Sequence, residues 1–104
     1  MSLRLPAGLA ATGMGESALN LVDQEIIGEM ASSLGNAGRK VEACLARLRA
    51  SGGEGDAHTA LLKATADAVY AYFIQRELCG LRRHETLIRD MGIPREVLVR
   101  LGAR

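Results

Sequence analysis

Arg76 is the residue whose type and position most invite chemistry. On a helical wheel of about 100° per residue it falls near the middle of the apolar face formed by Leu61, Leu62, Val69 and Tyr72. A cation there must be paired or reach water, because a bare buried charge is costly. Its chemistry is therefore ion pairing or the recognition of an acidic ligand. Asp23 falls in the same way on the apolar stripe of the preceding helical segment. In an antiparallel helix pair turning near residue 53, Arg76 faces roughly residue 30, with Glu29 close along the axis and Asp23 up to two turns beyond. The expectation is a structural ion pair, Arg76 with Asp23, Glu25 or Glu29, that fixes register. An acidic small molecule held beside Arg76 is an alternative reading.

The remaining candidates are sparser. His58 and His84 are the only imidazoles, and neither has a second His or Cys at metal-ligand spacing. Both read as ordinary surface histidines, His58 in a first helical turn and His84 among Arg82, Arg83 and Glu85. Cys44 and Cys79 are lone thiols at apolar helical positions, without a CxxC pair. They read as small hydrophobes in a reducing cytosol. No phosphate-binding glycine loop or nucleophile elbow is present, so the chain reads as a non-enzyme with no cofactor and no metal.

The elements that must position these residues are helical. Leu19, Val22, Ile26, Met30, Leu34, Ala37, Val41, Cys44 or Leu45, and Leu48 recur with a period of about 3.6, the value of a straight helix. Because the stripe keeps its phase across Gly35 and Gly38, one continuous or slightly bent helix is predicted from Glu16 to Ala50. Gly28, Gly35 and Gly38 lie on a flank of it, which points to close approach by another helix, the alternative being that they mark a bend or a break at Gly35-Asn36. The second helix runs from an N-cap at Asp56 to Cys79, with Gly80 as its stop. The loop Ser51-Gly52-Gly53-Glu54-Gly55 is so short that the two helices must lie antiparallel. Leu81 to Met91 patterns a third helix ended by Gly92, and Pro94 opens a short fourth with Val97, Leu98 and Leu101 inward.

Composition bounds the rest. The 104 residues allow one core, and 48% hydrophobic against 24% charged residues excludes a generally disordered chain. Net charge is +1, too small for the whole molecule to recruit nucleic acid or membrane. The ends differ in sign: residues 5–38 hold four acids and no Lys or Arg, whereas residues 76–104 hold seven arginines against four acids. Residues 1–15, broken by Pro6, Gly8 and Gly13, read as a loose N-terminal arm, and residues 16–104 as a single helical domain. No segment has the length or apolarity of a membrane span, and a cytoplasmic setting is expected.

The stretch Leu87 to Leu98 has the helix, glycine turn and helix layout of a DNA-binding motif, with six arginines between Arg82 and Arg104. A nucleic-acid-associated regulator is thus an alternative. It is disfavoured because the second helix is barely two turns and needs Val97, Leu98 and Leu101 for packing.

Arg89-Asp90-Met91-Gly92-Ile93-Pro94-Arg95-Glu96-Val97-Leu98, with Gln75-Arg76-Glu77 ahead of Cys79-Gly80-Leu81, resembles a family of small bacterial all-helical proteins of unknown function. The resemblance runs from about Leu19 to Gly102, leaves the arm outside, and implies a helical domain with no catalytic residues to carry over. The fold expected is all-α, a long antiparallel helical hairpin with two short C-terminal helices packed on its open end. Because the first helix outruns the second, its stripe needs cover. A homodimer through the first helix, at Leu19, Val22, Ile26 and Met30, and through the C-terminal helices is expected, and the function expected is a non-enzymatic interaction or scaffold module.

Overall fold

The computed structural model describes the backbone of residues 15–103 and side chains from residue 20 onward. Four helices follow one another, with no strand among the described residues: α1 (Gly15–Arg49), α2 (Gly55–Leu78), α3 (Glu85–Met91) and α4 (Arg95–Leu98). The class is all-α, and α1 packs on α2 as the patterning requires. α1 is unbroken through Gly35 and Gly38.

Contacts divide the chain into two units, residues 1–32 and 33–104. The division falls inside α1, between Ser32 and Ser33. Every side chain from residue 20 to 32 is exposed, so that stretch adds nothing to the core. The expected arm lies outside the described residues except for Gly15, which opens α1.

In the unit 33–104, three meetings set the antiparallel register. Ser51 Oγ lies 2.7 Å from His58 Nδ1, Thr65 Oγ1 lies 3.4 Å from the Cys44 carbonyl, and a Cβ on Gly38 would lie 3.2 Å from Tyr72 Oη. Gly38 is thus the point where α2 comes too close for a larger side chain. The core joins Val41, Cys44, Leu45 and Leu48 of α1 to Leu62, Ala66, Ala68, Val69 and Phe73 of α2. These are the inward positions of the two helical patterns, and Thr65 among them is wholly buried.

The N-cap of α2 lies two residues earlier than the expected Asp56. Glu54 occupies the N-cap with extended backbone and makes no side-chain cap bond, and Asp56 sits in the first turn. There its charge meets the positive end of the helix dipole. Its end follows the sequence closely. Gly80, at φ 89°, lets the Leu81 N–H donate to the Arg76 carbonyl (2.8 Å) and its own N–H donate to that of Glu77 (3.0 Å). Those bonds satisfy carbonyls that the helix leaves free and reverse the chain. Gly92 repeats the device after α3, its φ of 66° allowing the Ile93 N–H to reach the Ile88 carbonyl at 3.0 Å.

The two short helices begin at the open end of the hairpin, where the chain reverses, and run back towards its loop. There Arg49 Nη2 donates to the Met91 carbonyl at 3.0 Å. Ile93 and Val97 join the core that the long helices form, while α3 buries no residue fully and lies against it through Leu87, Ile88 and Met91. Burial of Ile93 and Val97, each worth about 2 kcal/mol, is what holds the C-terminal segment so far back.

Candidate functional site

Three arrangements could serve a function. The first is at the open end of the hairpin. Arg76 donates from Nε to His84 Nδ1 (3.1 Å) and from Nη2 to the Arg83 carbonyl (3.0 Å). Its guanidinium carbon lies 5.9 Å from the centre of the Tyr72 ring, at the outer limit of a cation–π contact. An arginine can only donate, so His84 Nδ1 is the acceptor and the ring proton is on Nε2, which donates to Glu77 Oε2 at 3.0 Å. The His84 ring stacks on Phe73 with centroids 4.1 Å apart and planes 2° from parallel. His84 is therefore a hinge pin between α2 and α3 rather than a plain surface residue.

These partners differ from the acids weighed in the sequence. Among the described residues Lys63–Asp67 is the one pairing of a lysine or arginine with a carboxylate; Glu96 and Glu77 stand beside the imidazoles of His58 and His84, and none of these contacts involves Arg76. The register places Arg76 opposite Leu34 rather than residue 30, and the reversal at Gly80 carries His84 to its side. Asp23, Glu25 and Glu29 belong to the other unit, where all three are exposed.

The second arrangement is at the loop. His58, expected on the surface, is only 8% exposed. Ser51 Oγ donates to the Leu48 carbonyl at 2.7 Å, so its one proton is committed and His58 Nδ1–H donates to it in turn. Glu96 Oε1 stands 3.8 Å from His58 Nε2, beyond hydrogen-bond reach. Serine, histidine and acid lie in a row, yet a nucleophile must pass its proton to the histidine, and this serine gives it to a backbone carbonyl. The row ties the end of α1 to the start of α2. Sequence reasoning missed it because a first-turn histidine beside glycines carries no mark of burial.

The third arrangement is a surface. Val22, Ile26 and Met30 recur every four residues along α1 and are exposed, with Ile27 beside them 65% exposed. The Leu19 side chain, also expected in this row, lies outside the described residues. Asp23 and Glu29 sit among and beside these apolar positions. In the other unit, Ile74, Leu78 and Leu81 form a second exposed apolar group, with Leu78 at 72%. Arg82 and Arg83 follow it directly and are exposed.

Two open concavities, of about 500 and 230 Å³, lie along the outer face of α2 and share Lys63, Asp67 and Ala103. Neither is lined by Arg76, and the Lys63 ammonium is already 3.1 Å from Asp67. Cys44 is buried, Cys79 is the half-buried C-cap of α2, and both are free thiols. No described helix is long and apolar enough to cross a membrane.

Fold and site together define an all-helical protein whose buried polar clusters fasten its own turns and whose exposed features are apolar faces edged with charge. The chain belongs to DUF6665, a family of unknown function, which it matches over residues 1–104. The match takes in the first eighteen residues that the resemblance left outside. No curated protein and no solved structure matches it.

Proposed function

We propose that the chain is a non-catalytic helical interaction module that acts as a homodimer through α1. One observation carries this reading: Val22, Ile26 and Met30 form a regular apolar row on a stretch of helix that has no buried residue. Apolar area left in water forgoes about 25 cal/mol per Å², and a contiguous row of this kind is typical of an interface rather than of scattered surface residues. The polar clusters support the same reading, since two donors of Arg76 and the proton of Ser51 are engaged in holding turns. Two free thiols fit a cytoplasmic setting.

The nucleic-acid reading is weaker. The second helix of the motif, α4, has four residues, and Val97 at its centre is wholly buried. The small-molecule reading is weaker too, because the Arg76 guanidinium already has neighbours on its chain. Light scattering at micromolar concentration tests the proposal: a dimer is expected, and a particle of 11.1 kDa would sink it. Ile26→Arg should yield the monomer with its helix content intact.

A further inference from the structure

We propose that the homodimer is reciprocal: the acid-bearing apolar row of α1 in each copy docks on the Ile74, Leu78 and Leu81 group of the other, with Arg82 and Arg83 facing its carboxylates. This rests on the homodimer reading and adds what the row sits against.

Charge decides between the two ways of pairing copies. Residues 15–32 contain Glu16, Asp23, Glu25 and Glu29 and no Lys or Arg. Pairing this stretch with itself would crowd acids around one interface without a cation, and like charges juxtaposed across an interface cost several kcal/mol. Residues 74–83 contain Arg76, Arg82 and Arg83 against Glu77 alone, and Glu77 is already the acceptor for His84. Glu85 follows in the first turn of α3 and is the nearest acid in sequence after the two arginines. The second group therefore offers exposed apolar area and net positive charge together.

The position of Asp23 sharpens the match. It stands between Val22 and Ile26 on the apolar face, so any partner that covers the row also covers a carboxylate. A carboxylate at the centre of an interface needs a cation or it opposes binding. Arg82 and Arg83, one to two residues beyond Leu81, have extended reach and planar donors suited to carboxylates. A contact between two different surfaces, made twice about a two-fold axis, closes the pair and leaves neither surface open.

Charge exchange tests the geometry in the full chain. Asp23→Arg with Glu29→Arg gives an arm variant, and Arg82→Glu with Arg83→Glu gives a patch variant. All four positions are exposed, so each variant should keep the helix content of the parent by circular dichroism. By sedimentation velocity each alone should dimerise at least about tenfold more weakly, equivalent to about 1.4 kcal/mol. A one-to-one mixture should regain dimers, which native mass spectrometry would identify as containing one copy of each. The chain carrying all four substitutions should also dimerise. Leu78→Asp provides a second probe, aimed at the apolar centre of the patch rather than at its arginines, and should yield the monomer. If the parent is a monomer, both this inference and the homodimer reading fail. If the parent is a dimer that Ile26→Arg breaks but the patch variant and Leu78→Asp leave intact, only this inference fails. A mixture that remains monomeric also overturns it.

Discussion

Ser51 illustrates how little of a residue's role is in its type. Its hydroxyl caps the end of α1 through the Leu48 carbonyl and supplies the acceptor for a histidine that is nearly out of water. Ser51→Ala removes both interactions and leaves a buried ring N–H without a partner, so it should cost about 1–3 kcal/mol. Glu96→Gln should change stability by less than about 1 kcal/mol, because Glu96 is exposed and beyond hydrogen-bond distance of His58. Urea denaturation of the two variants checks the ranking, and equal losses would contradict the bond order given to this row. Arg76→Met strips His84 Nδ1 and the Arg83 carbonyl of their donor and should cost about 1–2 kcal/mol. Unchanged stability in that variant would mean that the reversal after α2 depends on Gly80 and the Phe73–His84 stack instead.

At the scale of elements, the glycines of α1 separate by what surrounds them. A Cβ on Gly28 would meet nothing within 4 Å, whereas one on Gly38 would lie 3.2 Å from Tyr72 Oη. Gly28→Ala should therefore stabilise the helix by up to about 1 kcal/mol, the difference in helix propensity. Gly38→Leu should destabilise the hairpin by about 1–3 kcal/mol, since the side chain must displace Tyr72. Thermal melts of both should move in opposite directions. The spacing of these glycines was legible in the sequence as a flank of small residues, and close approach was the right reading for Gly38. Nothing local distinguishes it from Gly28, because only α2 lying alongside makes the difference. The same holds for α3 and α4: their presence and the glycine between them could be read directly, but α3 begins at Glu85 rather than Leu81, α4 ends at Leu98 rather than Leu101, and their return to the loop follows from where Ile93 and Val97 find apolar neighbours.

At the scale of the molecule, the opposite signs of the two ends are the feature that composition makes plainest. The acidic stretch before residue 38 and the arginines after residue 76 are of no consequence to a net charge of +1. They matter where surfaces meet. A dimer fastened by apolar burial with facing charges should weaken as salt rises, since screening shortens the Debye length from about 10 Å at 0.1 M to about 3 Å at 1 M. Sedimentation equilibrium across that range should show the dissociation constant rise several-fold. A dimer that tightens with salt would instead indicate apolar contact alone, or acid facing acid.

The two long helices, the loop that makes them antiparallel, and the glycines that end α2 and α3 were determined by the sequence by itself. Those properties depend on repeats of a few residues and on the backbone angles that glycine allows. Tertiary structure alone decided that Arg76 bonds to His84, that His58 is buried, and that Gly38 has Tyr72 against it while Gly28 has open space. Such pairings depend on register across two helices, where a shift of one turn exchanges Met30, next to Glu29, for Leu34. Periodicity establishes that an apolar face exists, but which side chain meets it is set by the packing of the elements through space.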